Sequence, residues 1–308
     1  MIIGVVSKST GSWYKVRTEN GTVIDCRLKG KLKLTKTGVT NPIAVGDKVE
    51  LELEEGQSIN GLISNILDRD NYIIRKSVHK NHQAHILAAN IDQLIVIASL
   101  TLPRTSLGFI DRLLVSAESY GIPAWVIFNK ADLLSEEELE YVDILAEMYS
   151  TIGYPSIITS ASTRLGIKEF QNILEGKTSL LSGHSGVGKS SLVNAIAPGL
   201  DLSTKEISTF ANKGKHTTTY AEMFQLSDNT FIVDTPGIKE LGLIEMEEDN
   251  ISNYFPEMRA ISSQCKFHNC SHRHEPGCAI LKAIDEGKLP VTRYESYLSM
   301  VDGDDNRR

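Results

Sequence analysis

The stretch Gly183-His-Ser-Gly-Val-Gly-Lys-Ser190 constrains this chain more than any other. A glycine, four residues and then Gly-Lys-Ser is the spacing of a loop that cradles phosphates. The apolar run Thr178-Ser-Leu-Leu181 before it reads as a buried strand, and Ser191-Leu-Val-Asn-Ala-Ile-Ala197 after it reads as a helix. Phosphate binding needs that order, because unpaired backbone N–H groups at a helix start face an anion. The cradle is expected to run through Gly183, His184, Ser185, Gly186, Val187, Gly188, Lys189, Ser190 and Ser191. Lys189 would neutralise the β- and γ-phosphates, and the Ser190 hydroxyl would bind Mg²⁺. By itself the loop says nucleotide and does not say which.

Alternation of strands and helices surrounds the loop. Gln93–Ser99, Ala124–Phe128 and Ser156–Thr159 are strand-like runs. Between them, Leu107, Ile110, Leu113, Leu114 and Ala117 recur at helical spacing. Ser135-Glu-Glu-Glu138 is a capping box opening a second helix, with Leu139, Val142, Leu145, Ala146 and Tyr149 on one face. Ile167, Phe170, Ile173 and Leu174 mark a third. Such alternation predicts a doubly wound parallel α/β sheet, with the ligand at the carboxyl ends of its strands. Residues 1–70 differ. Five short strand candidates separated by turn signals such as Glu19-Asn20-Gly21 predict an all-β, OB-type barrel.

The chain carries a net charge of −7, which argues against a general nucleic-acid binder, but the charge is uneven. The first 40 residues hold eight Lys or Arg (8, 15, 17, 27, 29, 31, 33, 36) against Glu19 and Asp25. Trp13 and Tyr14 lie among these bases, a combination suited to tracking and stacking RNA; the competing reading is a solvated charged face with Trp13 in the core. No apolar run is long enough to span a bilayer, and no signal-peptide pattern opens the chain, so a cytoplasmic protein without membrane contact is expected.

Loops at three further strand ends choose the nucleotide. Asn129-Lys130-Ala131-Asp132 follows the second sheet strand. A carboxylate at Asp132 can accept from both guanine N1–H and the N2 amino group, a donor pair adenine lacks. Asn129 and Lys130 would brace the base and the phosphate loop, and Ser160-Ala161 ends the next strand. Phe231-Ile-Val-Asp234-Thr-Pro-Gly237 places Asp234 to hold Mg²⁺ through water and Gly237 to turn its N–H toward the γ-phosphate. The expected ligands are therefore GTP and GDP, with Mg²⁺.

These segments resemble the motifs of translation-factor-class GTPases in a circularly permuted order, with N-K-A-D and Ser160-Ala161 preceding the phosphate loop. Over its full length the chain resembles the ribosome small-subunit-dependent GTPase A family. That resemblance implies an OB domain (1–70), a permuted G domain (71–242) and a small helical zinc domain (243–308). It also implies GTP hydrolysis, slow alone and faster on the small ribosomal subunit and its rRNA, in late maturation of that subunit by a monomeric factor. An RNA-anchored guanine-nucleotide sensor with incidental hydrolysis and a large-subunit assembly GTPase are the alternatives. In the polar stretch Lys213–Thr219, the family's motif points to Thr218 as the Mg²⁺ ligand, with Thr217 as fallback. Ile238 stands where many GTPases place a water-orienting glutamine, so catalysis needs a group from elsewhere; His216 is a candidate to activate water, the competing reading being a switch residue that contacts RNA.

Cys265-Lys-Phe-His-Asn-Cys-Ser-His-Arg-His-Glu-Pro-Gly-Cys278 closes the inventory. Three thiolates and one imidazole would make a closed, structural Zn²⁺ site, one per chain. The family pattern selects Cys265, Cys270, His272 and Cys278; the chemistry alone leaves His274 open. Lys266, Arg273 and the remaining histidines would face RNA, and a helix bearing Leu281, Ile284, Tyr294 and Tyr297 would pack the module. Cys26 is left to pack in the barrel. With the switch residues just ahead of this module, hydrolysis is expected to be transmitted to it directly.

Overall fold

The structure, a computed structural model of the 308-residue chain, describes residues 2–10, 12–29, 42–54, 60–76, 84–200, 221–234 and 248–303. His216, Thr217, Thr218, Gly237 and Ile238 lie outside the described residues, as do Lys31, Lys33 and Lys36.

The N-terminal strands are β1 (Ile2–Ser9), β2 (Tyr14–Thr18), β3 (Val23–Leu28), β4 (Lys48–Leu53) and β5 (Asn60–Ile66). They pair in the order β1-β2-β3-β5-β4, and β4 returns to β1, so the sheet closes on itself as an OB-type barrel. Period-two alternation along β2 sends Tyr14, Val16 and Thr18 inward and Lys15 and Arg17 outward. That same alternation splits the expected aromatic pair. Tyr14 is core, packed with Val6, Val16, Cys26, Leu51 and Ile63, whereas Trp13 is 41% exposed with the Arg27 guanidinium 4.5 Å from its ring. Stacking on an outside ligand is therefore open to Trp13 and closed to Tyr14.

A hairpin with no counterpart in the sequence reading, β6 (Tyr72–Lys76) with β7 (Ala84–Ala89), follows the barrel. It is tied to the barrel by the Val45–Ala88 bridge. Nearby, the buried Asp47 carboxylate accepts from Arg69 at 2.6 and 2.7 Å and from the Ala44 backbone N–H at 2.8 Å.

The second sheet contains β8 (Gln93–Ala98), β9 (Ala124–Phe128), β10 (Ser156–Ile158), β11 (Thr178–Ser182), β12 (Glu222–Ser227) and β13 (Thr230–Asp234). Their order is β10-β9-β8-β11-β13-β12, parallel except for β12, and β12 meets barrel strand β1 at Lys8–Glu222. All six residues of β8 are buried, as expected of a central strand covered on two faces. Helices α1 (Leu107–Ser119) and α2 (Glu136–Thr151) cover one face, with Phe109, Leu113, Val142 and Leu145 in the core. On the other, α3 (Ile167–Leu174) and α4 (Lys189–Ile196) bury Phe170, Leu174, Leu192 and Val193. The Ser135 capping box forms as read from the sequence. From β8 the chain moves outward to β9 and β10, then crosses back to β11 on the opposite side of β8. Strand order thus reverses between β8 and β11, where a doubly wound sheet opens a crevice at its carboxyl ends.

Of the C-terminal helices α5 (Pro256–Ser262), α6 (Ala279–Asp285) and α7 (Val291–Val301), α7 docks on α1, and α5 and α6 pack against each other. Arg293 of α7 is fully buried and donates to Asp111 of α1 and to Glu257 of α5, each at 2.7 Å. Tyr149 and Ser296 also donate to Asp111. Removing one partner from such a buried network costs about 3–5 kcal/mol, since a charge is left without compensation. No described helix is long and apolar enough to cross a membrane.

Candidate nucleotide site and metal cluster

The phosphate loop leaves β11 at Ser182 and enters α4 at Lys189. Two glycines are required by what surrounds them. A side chain at Gly183 would lie 2.2 Å from the Ile97 carbonyl of β8, and one at Gly188 would lie 2.3 Å from Asn129 Nδ2. Both residues also hold positive φ, +145° and +98°. Close packing of this kind, rather than flexibility, explains their place in the sequence pattern. The Lys189 ammonium donates to the Gly183 and His184 carbonyls at 2.8 Å each, so it folds back across the loop. Ser190 is buried beneath it, whereas Ser185 and Gly186 are exposed. Within the loop, His184 stacks on Phe109 of α1, ring centres 3.8 Å apart.

Asn129 connects this loop to the one after β9. Its Nδ2 donates to the Val187 carbonyl at 2.8 Å, and its Oδ1 accepts from Thr159 at 3.1 Å. Lys130, in the left-handed region at φ 69°, donates to the Leu102 carbonyl. Asp132 sits on the following 3-10 turn with its carboxylate exposed. Ser160 Oγ donates to it at 2.6 Å. Hydrogen bonds from Ser160 and Ser162 hold its carboxyl below the ordinary value. Ala161, between those two serines, is half-buried.

At the other end, Asp234 closes β13, in register with Leu181 of β11 and Glu222 of β12. Burial pushes its carboxyl up to about 6; the Lys189 charge opposes that rise and the Glu222 charge adds to it. Lys189, Ser190 and Asp234 are thus gathered at the Gly183–Ser190 loop and Asp132, Ser160 and Ala161 at the far end, with Asn129 between them. Thr159 and Ser162 were not among the expected residues. Both flank Ser160-Ala161 in sequence, and their hydroxyls are what brace Asn129 and Asp132.

In the C-terminal unit, Cys265, Cys270, His272 and Cys278 bring one ligand atom each within 4.8 Å of one another, an arrangement able to hold a metal ion. His272 Nδ1 lies 3.7 Å from Cys265 Sγ and 3.5 Å from Cys278 Sγ. His268 and His274 are exposed, outside this group. Burial raises the Cys270 thiol to about 12 and lowers His272, which keeps the imidazole neutral and ready to ligate. Tyr294 and Tyr297 of α7 do more than pack the unit: their hydroxyls donate to the His272 and Ser271 carbonyls at 2.7 and 2.8 Å. Glu275 caps the same turn by accepting from the Ser271, Arg273 and His274 backbone N–H groups.

A doubly wound sheet with its phosphate loop on a central strand, and its N-K-A-D segment earlier in sequence than that loop, defines a circularly permuted P-loop GTPase. The family profile described as RsgA GTPase matches residues 66–244, and the RsgA N-terminal domain profile matches residues 3–63. The chain is 50% identical to the small ribosomal subunit biogenesis GTPase RsgA of Bacteroides fragilis strain YCH46, over 97% of this chain and 96% of that protein. Identity to the protein of the same name from Cytophaga hutchinsonii is 48%, over 99% of each. The crystal structure of YjeQ from Thermotoga maritima superposes with a TM-score of 0.79 at 36% identity, covering 100% of this chain and 99% of that one. YloQ, a circularly permuted GTPase, superposes at 0.76 with 29% identity, covering 100% and 96%. The chain belongs to the RsgA GTPase family, whose members are GTP hydrolases.

Proposed function

We propose that this protein binds GTP across the β8–β11 crevice and hydrolyses it on the small ribosomal subunit, in maturation of that subunit, as a cytoplasmic monomer. The observation that carries the nucleotide reading is the Asn129 bridge. One side chain fixes the phosphate loop at Val187 and the base-reading segment at Thr159, so the two ends are set at one spacing before any ligand arrives. Asp132 accepts from guanine, with Ser160 and Ala161 closing the base edge. Gly183 to Ser191 wrap the phosphates through backbone N–H groups. On binding, the Lys189 ammonium exchanges the Gly183 and His184 carbonyls for phosphate oxygens. Ser190, Asp234 and Thr218 would hold Mg²⁺, which supplies positive charge against the β- and γ-phosphate oxygens. Gly237 would donate to the γ-phosphate, and His216 is the residue proposed to orient water in place of the glutamine that Ile238 replaces.

The subunit partner follows from the relatives' name, small ribosomal subunit biogenesis GTPase. The barrel at 1–70 and the unit at 243–308 flank the G domain at 71–242, and exposed Trp13, Arg27, Lys266 and Arg273 offer cations and a stacking ring to rRNA. Cys265, Cys270, His272 and Cys278 would hold one structural Zn²⁺, since three sulfurs and a nitrogen suit that ion and leave no open position. GTP turnover with and without purified small subunits tests the reading, and His216→Ala is expected to lower only the stimulated rate. Equal rates with and without subunits, beside tight GTP binding, would favour a nucleotide sensor instead. The bound metal should be one zinc per chain by elemental analysis, lost in Cys270→Ser.

A further inference from the structure

Three charged residues stand in one row across the seam between the barrel and the nucleotide-binding sheet. Lys8 of β1 is the register partner of Glu222 of β12, and Glu222 is in turn the register partner of Asp234 of β13. Directly opposed residues in antiparallel pairs project to the same face, with Cβ atoms about 5 Å apart. The Lys8 ammonium reaches its neighbour, 2.8 Å from Glu222 Oε2. Lys15, the barrel residue opposite Lys8 on its other side, is engaged with Asp25 at 3.5 Å. Lys8 is therefore committed to Glu222, and Glu222 is the carboxylate beside Asp234.

From this geometry we infer that Lys8 is a positioning residue of the metal end of the nucleotide site: by holding the Glu222 carboxylate toward the barrel, it sets how near that charge stands to a divalent cation at Asp234. The inference rests on the reading of Asp234 as a Mg²⁺ residue. Distance decides the route. Lys8 is two strands from Asp234, about 10 Å, beyond the Debye length of about 8 Å at about 0.15 M salt, so its own field at the metal is largely screened. Glu222 is one strand away and is not. Lys8 thus acts through Glu222 or not at all. A Lys8→Met chain would release the Glu222 carboxylate from the barrel side, free to approach the cation, and strengthen its binding; Glu222→Gln would remove that charge and weaken it. The pair is about one-third exposed on each side, so neither change opens the core. A barrel that contributes to the metal site also gives a reason why β1 joins the edge of this sheet by a charged contact rather than an apolar one.

The test is a Mg²⁺ titration of fluorescent GTP retention at pH 8 and about 0.15 M salt, on the full chain. Lys8→Met should lower the half-saturating Mg²⁺ concentration roughly threefold, and Glu222→Gln should raise it by a similar factor, as expected of one charge near a divalent ion partly exposed to water. Lys8→Arg should match the parent chain. The combination of Lys8→Met with Glu222→Gln should match Glu222→Gln alone, a result that a merely structural role for Lys8 would not produce. An unmoved midpoint in Lys8→Met, or an effect of Lys8→Met that persists when Glu222 is Gln, would overturn the inference. Asp234→Asn separates the two readings. If it leaves the Mg²⁺ curve unchanged, the assignment of Asp234 fails; if it abolishes the curve while Lys8→Met does nothing, only the role of Lys8 fails.

Discussion

Asp132 and Asp234 stand at opposite ends of one crevice and are pushed in opposite directions. Asp132 is exposed, and the Ser160 and Ser162 hydroxyls hold its carboxyl below the ordinary value. Asp234 is largely enclosed, and burial lifts its carboxyl to about 6. The difference lies in how each charge is compensated. At the Asp132 end the protein supplies hydrogen bonds of its own, which keep the carboxylate ionised, as the proposed guanine contact needs. At the phosphate end the side chain is withdrawn from water with Lys189 as its main compensating charge, and a cation arriving with the nucleotide would complete it. Under the proposed roles, recognition of the base is therefore preset, whereas the metal end depends on the ligand.

Replacing Asp132 by Asn should break the preset end with the largest effect. The amide turns one acceptor into a donor, which then faces one of guanine's two donors and leaves it unpaired. GTP affinity is expected to fall on the order of 10³-fold or more, the scale on which a hydrogen-bonding site rejects a mismatched partner. Xanthine carries a carbonyl where guanine has its amino group, so XTP binding should rise in the same variant. Competition between the two nucleotides measures the switch. If GTP still outcompetes XTP, Asp132 is not the base reader.

Gly188→Ala tests the joint between the ends. The added methyl group would sit 2.3 Å from Asn129 Nδ2, at a backbone φ of +98°. Strain in that region costs about 1–3 kcal/mol, so GTP and GDP affinities should drop together, by roughly ten- to a hundredfold. A loss confined to GTP would show that the Asn129 bridge does not set the spacing. Cooperation between distant ends is the point of this variant, and calorimetry with each nucleotide reads it directly.

Much of this site was readable because its determinants are local. The phosphate loop is a fixed spacing of glycines, Asp132 lies three residues past Asn129, and Ser160-Ala161 ends a short apolar run. The sheet strands β8, β9 and β11 announced themselves as continuous apolar runs, and the barrel strands as short segments between turns. What escaped has no local signature. Lys8 meets Glu222 across 214 positions and Arg293 meets Asp111 across 182, so only the assembled fold brings them together. The edge strand β12 mixes Glu222, Gln225 and Ser227 with three apolar residues, and its alternation is too weak to stand out without β13 beside it. Trp13 and Tyr14 show a finer failure. Composition placed them together as a stacking pair, but consecutive strand-edge residues face opposite ways, so the ladder buries Tyr14 and leaves Trp13 outside.

Acid should dissect the two carboxylates in a graded way. The Asp234 carboxyl lies above its ordinary value, so the native state binds a proton there more tightly than the unfolded chain. Its contribution to stability is present at low pH and is lost as pH rises through about 6, when the buried group ionises. The nucleotide works in the other sense, because Mg²⁺ needs the ionised form. Mg²⁺-dependent strengthening of GTP binding should therefore fade below about pH 6, by up to about tenfold per pH unit. Metal-free GDP binding should hold through the same range, since Asp132 stays ionised. In Asp234→Asn, this acid limb of the profile should disappear and the ligand-free chain should gain stability at pH 8. Parallel loss of GDP and Mg²⁺·GTP binding on acidification would erase the contrast between the ends.

The finest probe is Ser160→Ala. It removes a 2.6 Å hydrogen bond to Asp132, and with it the acceptor of the Thr163 backbone N–H, without changing the charge count. A hydrogen bond to a charged group is worth about 1.5–3 kcal/mol when its loss leaves the group bare, but exposed Asp132 regains water, which brings the expected cost nearer 1 kcal/mol. GTP affinity should fall about fivefold, and the Asp132 carboxyl should return toward its ordinary value, still held down by Ser162. Nuclear magnetic resonance titration of the carboxyl carbon follows that shift directly. Metal-end behaviour should not move: the pH midpoint of Mg²⁺ dependence, set by the burial of Asp234, should match the parent chain. A shifted midpoint would mean that the two carboxylates are coupled through the Asn129 frame, and the independence of the two ends would have to be given up.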